Sequence, residues 1–164
     1  MNLLARALPV LGVLWCMCIP AGHSQALSLA AAAGPVFLPG SSVGADWQAL
    51  LAVDIQRQAL GGRVEAMYTG VPGADLIALT GNLVWTFRRE PRDRVEPYLI
   101  AGMGAYVKFF EQRFGLNGGA GVRRPLGPVR LFAEVRYHRV TRRFDEAREA
   151  ATFIPVSVGV TLGR

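Results

Sequence analysis

Polar and apolar residues alternate along most of this chain, most sharply over residues 129–140. There Val129, Leu131, Ala133, Val135 and Tyr137 fall on one side, and Arg130, Phe132, Glu134, Arg136 and His138 on the other. Side chains on a strand point to opposite faces with period two, so the spacing predicts a β-strand. Seven further segments carry the same period. Leu27 to Val36 is alanine-rich and the weakest. Trp47 to Arg57 sets Ala49, Leu51, Val53 and Ile55 against Gln48, Leu50, Ala52, Asp54 and Gln56. Its Trp47, Leu50 and Leu51 also fit a helical stripe, which Asp54 breaks. Arg63 to Thr69, Leu76 to Arg88, Glu96 to Phe109, Gln112 to Arg123 and Thr152 to Leu162 complete the set. Turn-forming clusters separate them: Pro39-Gly40-Ser41-Ser42, Gly61-Gly62, Val71-Pro72-Gly73, the charged run 89–93, Pro125-Leu126-Gly127-Pro128 and a charged loop over 141–151. The expected fold is therefore all-β: an eight-stranded antiparallel up-and-down transmembrane β-barrel. Eight strands make the smallest barrel common in outer membranes.

The N-terminus changes where such a barrel belongs. Residues 1–26 read as a cleaved secretory signal peptide: Arg6 supplies a positive charge, Ala7 to Ile19 is apolar apart from Pro9 and Gly12, and Ser24-Gln25-Ala26 offers a small-residue cleavage site. The apolar run is short of the ~20 residues that a membrane-spanning helix needs. Cys16 and Cys18 follow Trp15 and Met17, which does not suit lipidation, and both leave with the signal. The barrel domain, 27–164, then has no cysteine. A closed barrel needs no disulfide, because every strand edge is paired.

The side that faces inward follows from what each face carries. The apolar faces of the later strands are almost uninterrupted. The opposite faces carry glycine, arginine, glutamate, asparagine and threonine, a poor lining for a dry core. The expectation is an inverted barrel, apolar side to lipid and charges in the lumen. With the N-terminus periplasmic, Trp47, Tyr68, Phe109, Phe114, Tyr137 and Phe153 fall near the outer rim, and Trp85 and Phe87 near the inner rim. Membrane barrels carry such aromatic girdles at both interfaces. The inner connections are short. The outer loops (37–46, 70–75, 110–112 and 141–151) include none long enough to form a porin constriction.

Several stretches resemble a known family. Glu96-Pro97-Tyr98-Leu99-Ile100-Ala101-Gly102-Met103-Gly104 is similar to a strand of the small OmpA/OmpX-like outer-membrane barrels. Phe114 to Gly121 resembles their next strand, Leu131 to Tyr137 the acidic–basic strand after it, and Phe153 to Leu162 their closing strand. The likeness covers residues 96–163 by motif and 27–90 by pattern only. It implies an outer-membrane location and handling by the barrel-assembly machinery. The chain departs from the family by ending Thr161-Leu162-Gly163-Arg164, where a closing aromatic is usual.

The net charge of +6 matters through its placement. Every basic residue except Lys108 is an arginine, which suits bidentate pairing with carboxylates and phosphates. A secreted barrel meets no nucleic acid. The charges expected in the lumen are Asp54, Arg63, Glu65, Arg123, Arg130, Glu134 and Arg136, with Lys108 as a further candidate. Eight strands leave room inside only for side chains. Buried charges there must pair or cost several kcal/mol each, so an ion-pair network around Glu134 and Glu65 is expected. The glycine run 115–121 lacks the Lys-Ser/Thr of a phosphate-binding loop and reads as strand glycine at a tight bend. His138 is the one histidine beyond the signal. Lipid A deacylases, which are enzymatic barrels, place a serine two residues after their catalytic histidine; here that residue is Val140. No catalytic, cofactor or metal site is therefore expected. The mixed-charge loop at Arg142, Arg143, Asp145, Glu146, Arg148 and Glu149 suggests contact with lipopolysaccharide phosphates. The functional expectation is a monomeric, non-enzymatic structural or interaction protein serving membrane integrity, adhesion or lipid contact. A narrow porin-like channel and a secreted lipocalin-like binder are the alternatives.

Overall fold

The structure, a computed structural model, describes residues 26–39, 46–71, 74–87, 95–108, 111–141 and 151–163. The expected signal peptide lies outside them except for Ala26. Eight strands form in chain order: β1 (Ala26–Phe37), β2 (Asp46–Arg57), β3 (Leu60–Val71), β4 (Ala74–Thr86), β5 (Glu96–Lys108), β6 (Glu111–Leu126), β7 (Val129–Val140) and β8 (Ala151–Leu162). Each pairs antiparallel with its neighbours in sequence, and β8 closes on β1. The helical alternative for 47–57 is lost to the strand.

Two boundaries differ from expectation. Gly61 and Gly62 lie inside β3, paired with Gln56 and Ile55. The turn falls three residues earlier, at Gln58-Ala59, with Gln58 at φ 54°. Two-residue hairpins require a positive φ, and here a glutamine adopts it, so no turn residue marked the position. Likewise Pro125 and Leu126 extend β6, opposite Arg130 and Val129. The chain reverses at Gly127-Pro128, with Gly127 at φ 64°.

The register fixes the stagger of the closed sheet. Starting from Leu29, cross-strand partners run through Val53, Val64, Gly81, Met103, Leu116 and Arg139 to Thr152. The residue that actually pairs with Leu29 is Leu162. The circuit thus returns displaced by ten residues, 162 against 152. With eight strands this shear tilts the strands by about 40° and leaves an interior that side chains can fill.

Alternation places the two faces in opposite surroundings. Leu50 is 3% exposed and Leu51 68%. Leu29, Leu83, Leu99, Leu116, Val135 and Val158 all point outward. The interior holds most of the buried polar side chains, including Asp54, Arg63, Glu65, Asn82, Glu134 and Arg136. Water-soluble barrels bury the apolar face; here it is the exterior. The lumen is divided along its axis. Its turn-end half, nearest the tight β2–β3 and β6–β7 hairpins, is ionic. Its loop-end half is packed with Val36, Leu50, Met67, Tyr106, Val140 and Phe153.

Candidate functional site in the barrel lumen

Six side chains in the lumen form one chain of alternating charge: Glu65, Arg136, Glu134, Arg63, Asp54 and Arg123. Arg136 donates from both terminal nitrogens to the Glu65 carboxylate, each at 2.6 Å, and from Nε to Glu134 Oε1. Arg63 donates from Nη1 to Glu134 Oε2 at 3.0 Å. It also grips Asp54 in a fork, from Nε to Oδ1 at 2.6 Å and from Nη2 to Oδ2 at 3.1 Å. Arg123 Nη2 stands 3.8 Å from Asp54 Oδ2, and its Nη1 donates to Gln56 Oε1 at 3.3 Å. Gln56 Nε2 in turn donates to Thr86 Oγ1.

Glu134 is the hub. It accepts from Arg63, from Arg136, and from the Tyr98 hydroxyl at 2.7 Å. Two aromatic rings complete the surroundings of the guanidiniums: Arg123 lies 4.4 Å from the Tyr98 centroid and Arg63 5.4 Å from that of Phe132. Three carboxylates and three guanidiniums sum to zero charge. That balance lets all six be buried, since an unpaired buried ion costs several kcal/mol.

The local sequence explains the meeting. β3 presents Arg63-Val64-Glu65 and β7 presents Glu134-Val135-Arg136. In each triplet the valine points outward and the two charges inward. β3 and β7 are four strands apart in a ring of eight, so they face each other across the lumen and run in the same direction. The two triplets are complementary in that arrangement, Arg63 to Glu134 and Glu65 to Arg136. Glycines on the intervening wall make the space. A Cβ on Gly121 would sit 2.5 Å from the Tyr98 hydroxyl oxygen, and one on Gly119 2.7 Å from Arg136 Cγ. A Cβ at the same positions would also meet the Val135 and Ala133 carbonyl oxygens, so these glycines admit both large lumen side chains and the close approach of β7.

Three expected placements are corrected. Arg130 takes no part in the network: it is half-buried near the turn end, with no ion pair among the described residues, and Phe132 occupies the inward position between it and Glu134. Lys108 is exposed at the loop end of β5. Phe153 is not a girdle residue. It faces inward at 3% exposure, stacked on His138 with centroids 4.7 Å apart and edge-on to Tyr106. The β7–β8 register pairs it with inward-facing His138.

The other girdle candidates lie outward where they are described. Trp47 and Tyr68 meet at 5.4 Å near the loop end, and Trp85 stacks on Phe87 at 5.5 Å near the turn end. Phe114 and Tyr137 are exposed. Phe109 lies outside the described residues.

His138 is fully buried. Its Nδ1 shares a 2.9 Å hydrogen bond with the Tyr106 hydroxyl, and its Nε2 has no hydrogen-bond partner among the described residues. It is enclosed by aromatic rings inside the barrel.

No family model matches the sequence, and no curated protein matches it. Solved structures do match. Neisserial surface protein A (NspA) superposes over 84% of this chain and 96% of its own, with a TM-score of 0.65 at 18% identity. The chain has the fold of the small outer-membrane β-barrels. A major outer membrane protein from Thermus thermophilus matches over 87% of this chain and 100% of its own, with a TM-score of 0.56 at 11% identity. The outer membrane enzyme PagL matches over 82% of this chain and 98% of its own, with a TM-score of 0.53 at 16% identity. One of these barrels is thus an enzyme, so the fold alone does not decide for or against catalysis.

Proposed function

We propose that this protein resides in a bacterial outer membrane as a barrel with a closed lumen, and that it acts through its outer surface and rims as a structural or interaction element of the cell envelope. The observation that carries this reading is the double closure of the lumen. An electroneutral ion-pair chain crosses the turn-end half, and an apolar and aromatic cluster, with Gln48, Thr69, His138 and Ser157 buried among it, occupies the loop-end half. Side chains from all eight strands occupy the interior at both levels, as the narrow bore of an eight-stranded barrel allows, which weighs against a wide porin-like channel. The apolar exterior weighs against a lipocalin-like binder, which needs its apolar face inside. Barrels of the NspA and PagL kind support the outer-membrane location, and the expected signal peptide agrees with it. A non-enzymatic role is supported by the absence of a hydroxyl two residues after His138 and by the burial of that histidine among aromatic rings.

The test is conductance in planar bilayers. The refolded protein is expected to give no discrete current steps. Stable unitary currents from protein free of porin contamination would overturn the closed-lumen reading.

A further inference from the structure

The outward surface of the barrel is uneven. Across β8, β1, β2, β3 and β4 it is hollowed. The cross-strand row there runs Val160, Ala31, Leu51, Ala66, Leu79, so large and small side chains alternate and two alanines form a floor. The result is an apolar groove of about 520 Å³, walled by Leu29, Leu51, Val53, Leu79 and Val160.

Toward the turn end, the outward face of β2 continues through Ile55 to Arg57. Arg57 is exposed and has no ion pair among the described residues. It pairs across strands with Leu60, and Leu60 with Trp85. A free guanidinium and an indole therefore share one row at the edge of the apolar band, below a hollow in that band.

We propose that this is a docking site for one anionic phospholipid of the leaflet at the turn end. Arg57 takes the headgroup phosphate, which a guanidinium can bind through two parallel N–H donors. Trp85 lies at the headgroup level, where an indole N–H meets polar partners. An acyl chain fills the groove over Ala31 and Ala66, restoring dispersion contacts that an unfilled hollow forfeits. The proposal rests on the membrane location argued above.

Trp47→Phe leaves Trp85 as the sole tryptophan beyond the signal peptide. That variant is inserted into phosphatidylcholine vesicles containing a small fraction of either phosphatidylglycerol or phosphatidylcholine brominated on its acyl chains. Brominated phosphatidylglycerol is expected to occupy the site, and so to quench Trp85, with about fivefold preference, the scale set by one arginine at an anionic lipid surface. Arg57→Gln removes the preference and Arg57→Lys keeps it. Ala31→Leu with Ala66→Leu, which fills the groove, lowers quenching by both lipids. Equal quenching by the two lipids, or a preference that survives Arg57→Gln in protein with folded gel mobility, would overturn the site. Quenching by neither lipid would show a chain that has not inserted, and would overturn the membrane reading along with the site.

Discussion

Glu134→Gln is the substitution that isolates what the lumen network contributes. The shape is conserved and the charge sum of the six-residue chain moves from zero to +1. Glu134 accepts from three donors. A glutamine keeps one acceptor oxygen and turns an N–H₂ group toward a guanidinium. Arg63 and Arg136 each retain one forked carboxylate, Asp54 and Glu65, so neither is orphaned. Breaking a buried ion pair costs ~3–5 kcal/mol, and the remaining carboxylates put this case at the lower end, ~3 kcal/mol. For a chain of this size that corresponds to a fall in midpoint of roughly 6–12 °C. The assay is gel mobility of unboiled samples after graded heating in detergent micelles, where the folded barrel migrates apart from the unfolded chain. Lys108→Gln, at an exposed position, serves as the control and is expected to leave the midpoint unchanged. A Glu134→Gln midpoint equal to that of the control would refute the network as a source of stability.

Other outcomes follow from the same geometry. Removing both partners of a buried pair costs less than stranding one, so Glu65→Leu with Arg136→Leu should lose less stability than the sum of the two single changes, measured as a double-mutant cycle by urea titration. Gly121→Ala drives a methyl into the Tyr98 ring and toward the Ala133 carbonyl and should cost ~1–3 kcal/mol as overpacking; adding Tyr98→Ala relieves the ring part of the collision, so the pair should lose less stability than the sum of the single changes, and additive losses would contradict the clearance role. Leu51→Arg, outward on the apolar band, should cost ~2–4 kcal/mol if that face meets lipid near the midplane, measured as refolding yield into vesicles, and a neutral effect would place that face in water.

Much of the fold was legible because a half-buried strand writes its period directly into the sequence. Residues 76–86 and 129–140 needed nothing else. Turns were less legible: Gly61-Gly62 carries a stronger turn signal than Gln58-Ala59, yet the cross-strand register puts the reversal at the glutamine. The network members could be chosen as inward charges, but their pairing could not be read one strand at a time. It depends on β3 and β7 facing each other, and the signal that could have revealed it is the complementary pair Arg63-Val64-Glu65 and Glu134-Val135-Arg136. Phe153, an aromatic near a strand end, reads in sequence as an interface anchor; its inward parity, set by pairing with His138, decides otherwise. The apolar loop-end cluster is hidden in the sequence for a related reason. Leu50, Met67 and Tyr106 are scattered singly on otherwise polar faces, and only closure of the barrel gathers them into one cluster.

The most direct test of the central claim, a lipid-facing barrel in the outer membrane, is fractionation of expressing cells combined with gel mobility before and after boiling. The account predicts that the protein sediments with outer membranes, resists a high-salt wash, and migrates differently once boiled. A protein recovered soluble in the periplasm, with no change of mobility on heating, would contradict it.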